Sequence, residues 1–85
     1  MQNIRTVITE RISAKLDIGD LPRIGPKKMW ASFGNNTACD GCGKPILKTD
    51  IEYEFNLGDK QTCRFHIGCA GLWQAELQRR GLVEL

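Results

Sequence analysis

The pattern Cys39-x2-Cys42-x23-His66-x2-Cys69 constrains this chain more than any other feature of it. Two pairs of soft or borderline ligands, each at x2 spacing, match what one tetrahedral zinc takes. Three cysteines with one histidine are a common structural set. A tight turn lets two sulfurs converge on one ion, and Gly41 and Gly43 permit the backbone angles of such a turn. On the second pair, His66 ends an expected strand and Cys69 falls in the first turn of an expected helix, where side chains three apart face one point. That helix start also turns free N–H groups and positive partial charge toward the thiolates.

The need for a staple follows from size. At 85 residues the chain is near the length where one apolar core seldom holds a fold unaided. No apolar stretch follows Met1 to Thr6, so no secretory signal is read there. The longest mostly apolar run, Ile67 to Trp73, falls far short of the ~20 residues of a membrane helix. The expected location is therefore a reducing cytoplasm, without membrane contact, where clustered cysteines bind metal more often than they form disulfides. One Zn²⁺ per chain is the expected cofactor.

The expected fold is α+β, in one small domain covering residues 1–85. Residues 1–18 read as an amphipathic helix, with Ile4, Val7, Ile8, Ile12 and Leu16 at helical spacing and Gly19 and Pro22 as stops. The stripe either packs on the rest of the domain or docks on a partner. Residues 19–38 read as a basic loop, punctuated by Pro22, Gly25, Pro26, Gly34, Asn35 and Asn36. Residues 39–85 read as the zinc module: a knuckle, a β-hairpin turning at Gly58-Asp59, and a C-terminal helix. This order is treble-clef-like. Ile51, Tyr53, Phe55 and Leu57 alternate with Glu52, Glu54 and Asn56, the signature of a half-buried strand. The helix places Cys69, Leu72, Trp73 and Leu77 on one face and ends near Gly81. Trp73 and Tyr53 are expected in the core.

Cys63 is the spare cysteine. On a regular strand it shares a face with Phe65, opposite to His66, and reads as core filling. The alternative is an all-cysteine set in which Cys63 replaces His66.

The quoted residues also carry a resemblance. Cys39-x2-Cys42-Gly43-x-Pro45-Ile46, Glu52-Tyr53-Glu54 and Arg64-Phe65-His66-x2-Cys69-x3-Trp73 resemble a group of small, uncharacterised bacterial proteins. There a helix and a Gly-x-Leu-Pro segment, here Gly19-Asp20-Leu21-Pro22, precede the metal module. More distantly, the two ligand pairs and Trp73 are similar to the zinc fingers of poly(ADP-ribose) polymerases, which recognise DNA breaks. The spacing is also nearly that of the first half of a LIM domain, a protein-interaction module. The resemblance implies Cys39, Cys42, His66 and Cys69 as zinc ligands. The chain departs from LIM in lacking a second zinc half, and from the polymerase fingers in its acidic Glu52 and Glu54.

Two functions are expected from these residues. The first is a non-catalytic interaction or regulatory module with a protein partner of unknown identity. Four protein ligands leave zinc no open position, the only histidine is committed, and no P-loop, dinucleotide motif or Ser-His-Asp set occurs. The second is nucleic-acid binding through Arg23, Lys27, Lys28 and Trp30, cations beside an aromatic. The charge is mixed rather than basic throughout, which weighs against the second. Residues 1–38 hold six Lys/Arg against three Asp/Glu, and residues 39–85 hold six against seven. Oligomeric state is not fixed by sequence.

Overall fold

Asn3 starts the first helix by accepting from the Arg5 N–H at 2.7 Å through its side-chain oxygen. In the computed structural model, which describes residues 3–23, 28–56 and 62–82, this helix is α1, Ile4–Asp17. It ends where Gly19 adopts φ +83°, as the stop signals required. Arg23 then folds back and donates to the carbonyls of Leu16 and Asp17 at 3.0 and 3.2 Å, closing the helix end. The hydrophobic stripe is used unevenly. Ile12 and Leu16 are fully buried, Ile8 is half-buried, and Ile4 and Val7 are exposed.

Five strands follow among the described residues: β1 Lys28–Phe33, β2 Thr37–Ala38, β3 Pro45–Ile46, β4 Ile51–Asn56 and β5 Thr62–His66. Three of them form an antiparallel sheet in the order β1-β4-β5, and β2 pairs antiparallel with β3. The reading of residues 19–38 as a loop is corrected here. Residues 28–33 pair along their whole length with β4, from Lys28 opposite Asn56 to Phe33 opposite Ile51. The strand lacks the alternation that marks a half-buried strand because Met29, Trp30 and Phe33 are all exposed, on both faces of the sheet. The hairpin turn expected at Gly58-Asp59 lies outside the described residues.

The second helix, α2, spans Ile67–Arg79 and is followed by Gly81 at φ +70°. It lies over β4 and β5 and packs against α1. Phe55, Phe65 and Trp73 meet at the centre, Phe65 stacking on Trp73 with ring centroids 5.1 Å apart. Tyr53 borders this core half-buried instead of lying within it. Cys63 joins Phe55 and Phe65 there, on the face the strand parity assigns to it.

Charge closes the α1–α2 contact. Glu76 is almost fully buried and accepts from Arg79 and Arg80. Arg80 also reaches Asp17 at 2.9 Å and the Ser13 hydroxyl at 2.6 Å. Among the described residues, no helix is long and apolar enough to cross a membrane.

Candidate metal centre

The segment from Cys39 to Lys44 turns back on itself. Gly43 N–H donates to the Cys39 carbonyl at 2.9 Å, and Cys39 N–H donates to the Lys44 carbonyl at 2.8 Å. Gly43 has φ +81°, a conformation that L side chains rarely take. Gly41 is needed for a different reason: a Cβ there would lie 2.9 Å from the Cβ of Cys69.

This knuckle is fastened to the outer edge of β5. Asp40 N–H donates to the Arg64 carbonyl, and Arg64 N–H donates to Asp40 Oδ2, both at 2.8 Å. Lys15 of α1 donates from Nζ to the Asp40 carbonyl, also at 2.8 Å. At the end of β5 the chain turns into α2, with His66 as the residue capping the helix start. One residue of the centre thus ends the strand and another, Cys69, lies in the first turn of the helix.

Together these elements bring Cys39, Cys42, His66 and Cys69 to one point. Their ligand atoms all lie within 4.8 Å of one another, a group that could hold one metal ion. Cys39 and Cys69 are buried, whereas Cys42 and His66 are half-buried and form the solvent side. His66 turns Nδ1 toward Cys42 Sγ at 3.4 Å. Its other nitrogen, Nε2, lies 3.3 Å from the Pro45 carbonyl and 3.8 Å from Asp50 Oδ2. An acceptor at Nε2 fixes the proton there and leaves Nδ1 as the lone-pair donor.

The electrostatics suit a thiolate. The Cys39 pKa is lowered to about 4, chiefly by the hydrogen bond from the Cys69 thiol, while burial opposes the shift. N–H groups of Cys42, His66 and Gly41 add to the lowering; those of Gly41 and His66 lie 3.3 and 3.4 Å from Cys39 Sγ. The Cys69 thiol is pushed up by that same hydrogen bond, by burial and by the Cys39 charge. Cys63 stands apart from the group. Burial and the nearby Asp40 carboxylate raise its pKa to about 11, against the pull of Lys15.

The four residues of the cluster were legible from spacing. The groups around them were not. Asp50 and Lys15 reach the centre only through tertiary approach, Lys15 by its bond to the Asp40 carbonyl, and so does Arg11, whose guanidinium crowds the space above Gly43. Glu52 also departs from expectation. It is buried, opposite His66 in register, with Arg64 Nε 3.7 Å away.

The residues of the nucleic-acid reading lie after the end of α1 and along β1. Arg23 closes the end of α1, and Trp30 stands half-exposed on β1. Lys28 begins β1, and Lys27 lies outside the described residues. No family model, no curated protein and no solved structure matches this chain. The likeness to known zinc modules therefore rests on the sequence motifs alone.

Proposed function

We propose that the cluster holds one zinc ion and that the chain is a non-catalytic, treble-clef-like zinc module acting through contacts with other proteins. The observation that carries this reading is the mutual reach of the four ligand atoms. A zinc with Zn–S bonds of about 2.3 Å sets its ligands about 3.5–3.8 Å apart along the edges of a tetrahedron. The Cys42 Sγ to His66 Nδ1 distance of 3.4 Å is close to such an edge. Three thiolates and one imidazole fill four positions, so a water or substrate has no place to bind. Such a site supports a fold rather than a reaction.

The alternative, a nucleic-acid-binding finger, has the exposed Trp30 in its favour, a ring on which a base could stack. Against it, several of the cations are already engaged. Arg23 closes α1, Arg64 pairs with Glu54 and approaches Glu52, and Arg79 and Arg80 hold Glu76. Phosphate contacts would make affinity fall steeply with salt. A titration with nicked, duplex and single-stranded DNA at two salt concentrations is expected to show no binding even at low salt.

Elemental analysis of the purified chain should give one zinc per chain. Cobalt replacement should give the absorption of a tetrahedral site with three sulfur ligands. Cys42→Ser and Cys69→Ser should abolish both signals, whereas Cys63→Ser should keep them. Zinc lost from the Cys63 variant but kept by a His66 variant would overturn the ligand set.

A further inference from the structure

The two outer edges of the three-stranded sheet differ. The β5 edge is occupied by the knuckle, through Asp40 and Cys39. The β1 edge pairs only with β4 among the described residues. Natural sheets blunt such an edge with charge, proline, a bulge or a cover. In β1 the charge is confined to Lys28 at its start; from Met29 to Phe33 there is neither charge nor proline, and the six consecutive pairs with β4 leave no room for a bulge. Met29, Trp30 and Phe33 are instead 53 %, 46 % and 71 % exposed. Met29, Ala31 and Phe33 share the face on which α2 lies, but α2 covers β4 and β5 and leaves Met29 and Phe33 open.

We propose that β1 pairs antiparallel with β1 of a second copy of this chain, about a two-fold axis at Ala31, joining two sheets into one of six strands. The axis must stand normal to the sheet, which sets one residue opposite its own copy. With Ala31 there, Met29 comes opposite Phe33 of the second copy, twice. Trp30 comes opposite Ser32, and Lys28 opposite Gly34. No like charges face one another, and the exposed apolar pair is matched. The smallest side chain of the strand sits where two Cβ atoms approach to about 5 Å. Large, small, large along one face is an order that complements itself. This favours a second copy over an unrelated extended peptide, which would need no such symmetry.

A strand of six residues is about 20 Å long, so the contact falls among small interfaces below about 1,200 Å². The dimer is therefore concentration-dependent and exchanges. It uses no metal ligand and stands apart from the zinc reading.

The test is sedimentation velocity on the full, metal-loaded chain from about 1 µM to 1 mM, a range that brackets the affinity expected of a small interface. The mass should rise from 9.6 kDa toward twice that, about 19 kDa. Ala31→Lys sets two ammonium groups at the axis and should weaken association at least ~10-fold. Its metal content should be unchanged, because Ala31 is exposed. Met29→Lys and Phe33→Glu should each weaken the dimer, and their combination should restore it through two opposite-charge pairs. A single 9.6 kDa species at every concentration would overturn the proposal and leave the edge to a different strand. Association indifferent to Ala31→Lys, or growth beyond two chains, would overturn it as well.

Discussion

A Cβ on Gly41 would lie 2.9 Å from the Cβ of Cys69 and 3.3 Å from the ring of Phe65. The knuckle and α2 therefore meet at a distance that only glycine allows. Gly41→Ala must push the two apart, and with them Cys39 and Cys42 from Cys69. Metal affinity should fall about 10–100-fold, the usual effect of disturbing the groups that orient ligands. Gly71 is the control. It is exposed on α2 with nothing within 4 Å of a Cβ, so Gly71→Ala should stabilise the protein by about 0.4–1 kcal/mol. Competition against a chelator and denaturant unfolding of the loaded protein check the pair. Unchanged affinity in the Gly41 variant would mean that the turn yields without cost.

What was legible and what was not divides along physical lines. The ligand pairs could be read because each is local, two residues apart, and strand parity alone separated Cys63 from His66. The ends of both helices were legible from Gly19 and Gly81, whose positive φ is a local demand. β1 was hidden because its apolar residues point to both faces, so no period of two emerges. The need for Gly41 was read as backbone freedom but is steric, and only the approach of Cys69 reveals it. Lys15 and Asp40 are 25 residues apart, and their contact depends on how α1 lies against the knuckle. Spacing carries no trace of that.

Trp73 is the keystone of the aromatic core. It is fully buried, stacks on Phe65, and donates from Nε1 to the Pro22 carbonyl at 3.3 Å. Trp73→Ala should cost about 3–5 kcal/mol in the metal-loaded protein, from lost burial and the cavity left behind. Trp73→Phe keeps the stack and should cost less, losing chiefly volume and one hydrogen bond worth about 0.5–1.5 kcal/mol. Denaturant midpoints at fixed zinc concentration measure both. Equal losses in the two variants would mean that the indole N–H, not the packing, matters.

The Glu76 carboxylate should leave a mark on the pH dependence of stability. Its hydrogen bonds from Arg79 and Arg80 hold its pKa below the ordinary 4.5, against burial. A carboxyl lowered on folding stabilises the native state above its unfolded pKa, and that contribution is lost as the pH falls through the folded value. Glu76→Gln should therefore be less stable than the native chain at neutral pH. The gap between the two should begin to narrow below about pH 4.5, as the unfolded carboxyl takes up its proton, and should close as the pH falls through the lowered folded value. A metal held by the cysteine cluster would be lost in acid from both proteins alike and so cancel in the difference. A gap independent of pH would assign the effect to shape instead of charge.

The two halves of α1 should respond differently to the same truncation. Ile12 is fully buried against the rest of the protein, whereas Ile4 is 62 % exposed, although both belong to one helical stripe. Ile12→Ala removes buried methyl groups and leaves a cavity, so it should cost about 2–5 kcal/mol. Ile4→Ala removes little buried surface and exchanges a β-branched residue for the best helix former, so its effect should stay within about 0.5 kcal/mol. Denaturant unfolding of the metal-loaded variants gives both numbers in one experiment. The contrast also locates the bond between helix and metal module. Below Ile12 lie Lys15 and Leu16, one donating to the knuckle at Asp40 and the other fully buried. A loss at Ile4 as large as that at Ile12 would mean that the first turns of α1 are also held in solution. A small loss at Ile12 would mean that α1 is not needed for the module to fold.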